Sequence, residues 1–181
     1  LLRNDGHPMS RTANTVAWAR LDIDLDEGSV LIEEVQSDWV RKAEHMAKRH
    51  NSGWYRLSRA RTVIPGVASA ADLLSRAKTY VSDVMPAYAS RWQETMMAAC
   101  QFFAFEELGV ERLYMHTFET GNLLKGIDPK WSAPPKSIYT DLPRRMGFSR
   151  VTHGPQFLSG QLKARKVRRD TKWPPAFWLL S

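Results

Sequence analysis

The segment Leu21–Gln36 constrains the fold more than any other part of the chain. Leu21, Ile23 and Leu25 alternate with Asp22, Asp24 and Asp26, a period of two that puts apolar and charged side chains on opposite faces of a strand. Asp26-Glu27-Gly28-Ser29 supplies turn residues, and Val30 to Gln36 resumes in extended form, so the pattern predicts a hairpin with its first strand inside Thr15–Leu25. The second strand breaks its own alternation. Glu34 shares a face with Val30 and Ile32, and Glu33 shares one with Leu31 and Val35. Whichever face is buried therefore takes a carboxylate with it. Ser37 and Asp38 follow as N-cap residue types, and Trp39–His50 reads as a helix with a basic outer face.

Beyond this hairpin the signals are mainly helical. Asn51–Ser69 reads as a loop, Ala70–Val84 as a helix interrupted at Pro86, and Ser90–Leu108 as a second, strongly apolar helix. In that helix Trp92, Met96, Ala99 and Phe103 recur at helical spacing and are expected to face the core, with Met97, Cys100 and Phe105 widening the stripe. Gly109 provides a C-cap and Val110–Phe118 a strand. Thr120–Lys136 reads as a loop, Ser137–Met146 as a short helix closed by Gly147, and Phe148–Thr152 as a last strand. This order predicts an α/β fold, a mixed and largely antiparallel central sheet with packed helices. At 181 residues the chain is expected to form one domain over 1–160, followed by a basic, aromatic C-terminal arm over 161–181.

Composition narrows the function classes. No apolar run approaches the length of a membrane span, and Leu1–Ser10 lacks the pattern of a signal peptide. A cytoplasmic location is expected, and the lone Cys100 reads as a buried structural thiol. Leu1 in place of an initiating Met points to a fragment or a processed chain. The formal charge of +7 favours an anionic partner, and the cations concentrate in Arg41–Arg61, Arg144–Arg150 and Lys163–Lys172. In the last stretch Lys163, Arg165, Lys166, Arg168 and Arg169 form either a solvated tail or a phosphate-binding arm for nucleic acid or tRNA. Trp54 and Tyr55, beside Arg56 and Arg59, are the aromatics best placed to stack on bases. Arg91 and Trp92 form a similar pair, with Trp92 also on the helical core period.

No Cys/His ligand set, phosphate-binding P-loop, dinucleotide fingerprint or Gly-x-Ser-x-Gly elbow occurs, and His45 and His50 are spaced wrongly for a shared metal. The remaining chemistry gathers at the end of the second strand. Glu34 and Asp38 are candidate catalytic carboxylates there, with Gln36 and Ser37 as substrate-binding groups. His116, near the end of the Val110 strand, is the histidine best placed for proton transfer. A purely structural account competes with this one: Ser37 and Asp38 cap a helix, and Glu34 pairs with an arginine such as Arg20.

Two further strings carry a resemblance. Leu108-Gly-Val-Glu-Arg-Leu-Tyr-Met-His116, followed by Tyr139 and then Arg145-Met-Gly-Phe-Ser-Arg-Val151, resembles the second half of the GNAT acyltransferase fold. Asn14-Thr-Val-Ala-Trp18, Leu31-Ile-Glu-Glu-Val-Gln-Ser-Asp-Trp39, Trp92-Gln-Glu94 and Tyr139-Thr-Asp-Leu-Pro143 are similar to a group of uncharacterised phage and mobile-element proteins. The resemblance implies acyl or aminoacyl transfer to an amine, with Glu34 as base and His116 or Tyr139 assisting. It also implies acetyl-CoA as one acyl donor, held by a glycine-rich turn that opens the long helix. Ala87–Glu94, which corresponds to that turn, contains no glycine, and Pro143 stands where the family places a general-acid Tyr. The alternative is a noncatalytic module of the same fold that binds nucleic acid or a host protein.

Overall fold

A computed structural model describes residues 15–48, 66–128, 130, 133–163 and 175–181. The chain divides into two compact units, Leu1–Trp18 with Gln36–Trp92 and Ala19–Val35 with Gln93–Ser181.

The first unit is helical. Ser37 caps α1 (Asp38–Lys48): its hydroxyl donates to the Val16 carbonyl at 2.6 Å and accepts from the Val40 N–H at 3.3 Å. Trp39, Ala43 and Met46 recur at helical spacing and form a core with Leu73 and Ala77 of α2 (Ala70–Thr79), joined by Val67 and Met85. Ser69 caps α2, which runs into a π-turn over Tyr80–Val84 before Pro86 opens α3 (Pro86–Ala89). Pro86 thus restarts the helix one widened turn on, and the Met85 N–H reaches back to the Tyr80 carbonyl at 2.8 Å.

The second unit is built on a mixed sheet in the order β1 (Trp18–Asp24), β2 (Ser29–Gln36), β3 (Arg112–His116), β5 (Phe177–Leu180), β4 (Ser149–Val151). The short Leu25–Gly28 turn joins β1 to β2 as an antiparallel hairpin, with Gly28 in the left-handed conformation. β2 and β3 are parallel, with Ser29 opposite Arg112 and Ile32 opposite Met115. β5 pairs antiparallel with both β3 and β4. The helical connection between β2 and β3 includes α4 (Trp92–Phe102), which ends in a π-turn over Phe103–Glu107. After β3 come α5 (Phe118–Lys125), a 3-10 turn over Lys136–Tyr139, α6 (Asp141–Arg145), and α7 (Ser159–Lys163) beyond β4.

The mixed α/β architecture and the largely antiparallel sheet agree with the sequence pattern, but several elements differ from expectation. In β1 the apolar face is not the covered one, because Ile23 is 46% exposed on a strand with one sheet neighbour among the described residues, and Leu25, in the turn that follows, is 63% exposed. Val30, Leu31 and Ile32 are all fully buried, so β2 is covered on both faces, which explains its broken alternation. In α4 the buried line is Met97, Cys100 and Ala104; Ala99 and Phe103, expected in the core, are exposed. Burial pushes the Cys100 thiol up to about 11, which keeps it an inert thiol near neutral pH.

The stretch read as a loop after Thr120 opens with α5, capped by Thr117 and closed by Gly126 at φ 63°. The expected arm contains β5, with Phe177 and Trp178 at 0% and 4% exposure. Trp54, Tyr55, Arg165, Lys166, Arg168, Arg169 and His50 lie outside the described residues, as does the His45 side chain.

Phe177 fixes the local packing so tightly that a Cβ on Gly154 would lie 2.5 Å from its ring. Gly154→Ala is expected to cost about 2 kcal/mol, in the usual range for overpacking a core. Urea unfolding monitored by Trp fluorescence measures it, and an unchanged midpoint would show that the ring can move aside.

Candidate functional site

β2 and β3 run side by side only as far as Ile32 and Met115. Beyond that register β2 continues through Glu33, Glu34 and Val35, whereas β3 ends at His116. The carboxyl ends of parallel strands that stop pairing leave a crevice, the usual location of sites in open α/β sheets.

Glu33 is the more buried of the two carboxylates, at 9% exposure. Its Oε1 meets Lys125 Nζ at 2.8 Å, and its Oε2 accepts from Arg20 Nε at 2.5 Å. Lys125 Nζ also donates to the Glu33 carbonyl at 2.8 Å, so α5 is tied to both the side chain and the backbone of β2. Burial alone would raise the Glu33 pKa, but Lys125 and Arg20 outweigh it and hold the carboxyl below its ordinary range. Glu33 is thus a fixed anion shared by two cations. Glu34 is more open, with 28% of its side chain exposed and Oε2 3.7 Å from Arg20. The expected Arg20–Glu34 pairing therefore exists, but the same guanidinium binds Glu33 more closely.

Tyr139 lies within electrostatic reach of both carboxylates. It is buried at 4%, and burial together with the charges of Glu34 and Glu33 pushes its phenol up to about 12, against a backbone hydrogen bond from Val35. The hydroxyl is consequently a proton donor at any physiological pH.

Across the parting, His116 is 3% exposed, its ring lies 5.6 Å from that of Phe177, and its Nδ1 has no hydrogen-bond partner among the described residues. Burial and the Lys125 charge push it down to about 4, against the pull of Glu33, so it is a neutral imidazole near pH 7. Gly121 of α5 packs directly on it, where a Cβ would approach the His116 Cβ to 3.1 Å.

Asn122, also on α5, is buried with its Nδ2 unpartnered among the described residues. It lines a shallow, largely apolar recess with Phe118, Gly121, Lys125, Pro134 and Tyr139. A buried amide donor without a partner carries a desolvation cost that a bound acceptor would offset.

Glu34, His116 and Tyr139 thus belong to one unit. Gln36, Ser37, Asp38, Arg91 and Trp92 belong to the other. Asp38 is buried at the start of α1, where its Oδ1 accepts from Gln36 Nε2 and from Arg41, each at 2.6 Å. Ser37 is occupied as the α1 cap. Trp92 is buried and Arg91 exposed at the turn that precedes α4, and Lys163 is exposed at the end of α7. Sequence reasoning did not single out Lys125 or Asn122, because their helix was read as loop. Thr117 at its start, Lys125 in its last turn and Gly126 after it were the available signals.

Among the described residues no group of three or more His, Cys, Asp or Glu side chains could hold a metal ion. The opening of α4 does not fit a pyrophosphate group. Its first turn has no glycine, starts on the buried Trp92 and carries the acidic Glu94. Compared with protein-family models, with curated protein sequences and with solved structures, the chain matches none.

Neutral burial of His116 has a measurable consequence. The unfolded chain takes up this proton near pH 6.5 and the folded chain only near 4, so stability is complete above the first value and declines as pH falls towards the second. Going from neutral pH to about pH 5, roughly 2 kcal/mol should be lost. Glu33, whose folded pKa is lowered, contributes stability that disappears only below the carboxylate range. Denaturant unfolding across this interval should show a slope that His116→Leu removes; parallel curves for the two proteins would refute the assignment.

Proposed function

We propose that the chain is a GNAT-like acyl- or aminoacyltransferase acting on an amine, with its chemistry at the parting of β2 and β3. The observation that carries this reading is the pairing of opposite roles on the β2 side. Glu34 presents a part-exposed carboxylate, and Tyr139 presents a phenol held protonated. The order of elements also supports it, since an antiparallel hairpin leads through helices ending in α4 to a parallel strand, and after the Tyr139 turn and the strand that follows Gly147-Phe148, β5 inserts to complete the sheet.

In the proposed step the amine nitrogen attacks the acyl carbonyl carbon and loses its proton to the Glu34 carboxylate. The bond to the leaving group then breaks with its electron pair, and the leaving atom takes the phenolic proton of Tyr139. Proton return from Glu34 to Tyr139 through solvent resets the site. Asn122 Nδ2 is the donor available to the acyl oxygen or to a nearby amide of the donor. Neutral His116 acts as packing and as a hydrogen-bonding group rather than as an acid. No step passes through acetyl-CoA, whose pyrophosphate the opening of α4 does not suit.

Amide formation, followed by mass spectrometry with aminoacyl-tRNA and simple thioesters as donors and a panel of primary amines, tests the reading. Glu34→Gln should lower the rate at least about 100-fold and Tyr139→Phe roughly 10- to 100-fold, the range for loss of a general base or acid. Equal rates in wild type and Glu34→Gln, or no transfer with any donor, would overturn it.

A further inference from the structure

Eight arginines lie among the described residues. Arg20, Arg41, Arg76 and Arg145 each meet a carboxylate: Glu33, Asp38, Asp72 and Glu94 respectively. Arg112 donates to the Glu27 carbonyl, and Arg91, Arg144 and Arg150 are exposed with no acidic partner among the described residues.

Arg144 and Arg150 converge on one side chain. Arg150 on β4 stands directly opposite Trp178 on β5, and cross-strand partners project to the same face of a sheet. Arg144 on α6 holds its guanidinium carbon 5.5 Å from the centre of the Trp178 ring. The indole itself is buried and anchored, its Nε1 donating to the Tyr139 carbonyl at 2.8 Å. Arg144 is therefore held by a cation–π contact to a rigid ring, whereas the strand ladder fixes the backbone from which Arg150 projects. Less side-chain freedom therefore remains for Arg144 to lose on binding.

We infer that Arg144 and Arg150, displayed over Trp178, form a contact surface for the phosphodiester backbone of a nucleic acid. A guanidinium fork matches two phosphate oxygens, and its charge persists at every working pH. The buried indole positions the cations and offers no open face to a base, so the contact reads backbone charge without sequence. Arg144 and Arg150 are both exposed, so an isolated phosphate gains two solvated contacts from them. A polymer bearing many phosphates also gains from the chain's formal charge of +7. Trp178 also holds the Tyr139 carbonyl, but neither Arg144 nor Arg150 takes part in the proposed proton transfers, so the inference does not rest on the acyl-transfer reading.

The test is fluorescence anisotropy of a labelled single-stranded oligonucleotide and of a labelled duplex, titrated with the full chain at several salt concentrations. Arg144→Ala/Arg150→Ala should weaken binding roughly 10-fold and flatten the plot of log K against log salt by about 1 to 2, as expected for the loss of two phosphate contacts. Lys78→Ala/Lys130→Ala removes the same charge at exposed positions elsewhere and should change affinity by less than about 2-fold. Arg144→Lys/Arg150→Lys, which retains the charge but loses the fork, should bind more tightly than the alanine protein and more weakly than wild type, and it guards against a folding defect in the alanine protein. Equal loss in the two alanine proteins would reduce the effect to bulk charge and overturn the inference. So would the absence of binding, or displacement of the oligonucleotide by inorganic phosphate at an equal concentration of phosphate groups.

Discussion

The insertion of β5 between β3 and β4 is the pairing on which the second unit depends. It turns β3 from an edge into an interior strand, so that Leu113, Tyr114, Met115 and His116 are all buried. From β5, Phe177 packs on His116 and on the backbone at Gly154, and Trp178 anchors the Tyr139 carbonyl. Just before the strand, the Ala176 carbonyl accepts from the Thr117 hydroxyl at 2.9 Å, and its N–H donates to Thr120 Oγ1 at 3.1 Å. The N-cap of α5 is thereby locked to β5. Glu33, His116 and Tyr139 each contact this strand or α5, whereas Glu34 is held from β1 through Arg20.

The second constraint is electrostatic. A carboxylate as buried as Glu33 is costly unless paired, and it has two cations and a fixed place on β2. Lys125 draws α5 towards β2 where the strands cease to pair, bonding a backbone carbonyl that has no β3 partner at that register. This ties the structural role to Glu33 and leaves Glu34 the more accessible of the adjacent pair. Period-two alternation put the two side chains on opposite faces, and packing then gave them different environments.

Local chemistry made much of this legible. The β1–β2 hairpin, the Ser37 cap, the Gly109 and Gly147 turns, and the helical character of 70–84 and 92–107 follow from residue types at fixed spacing. What escaped depends on contacts distant in sequence. Nothing near Ile23 announces that its strand has one sheet neighbour, so an apolar face was read as buried. In α4 two apolar lines run side by side, and only tertiary packing selects Met97, Cys100 and Ala104 over Ala99 and Phe103. The run Ala176–Leu180 after two prolines carried a strand signal, but the basic residues before it drew the whole segment into an arm. At the candidate site Glu34, His116 and Tyr139 were visible as residue types, whereas Lys125 and Asn122 were hidden with their helix.

The late position of β5 in the chain also sets a kinetic problem. Leu113 meets Leu180, so β3 cannot gain its second neighbour until a long intervening loop has closed, and β4 has β5 as its sheet partner. Such non-local pairing slows folding. Until it occurs, β3 offers a short, wholly apolar edge, Leu113-Tyr-Met115, with unpaired N–H and C=O groups on one side. A chain arrested at that point is a template for another copy's Phe177-Trp-Leu-Leu180, so exchange of this strand between molecules is the misassembly to which the topology is most exposed.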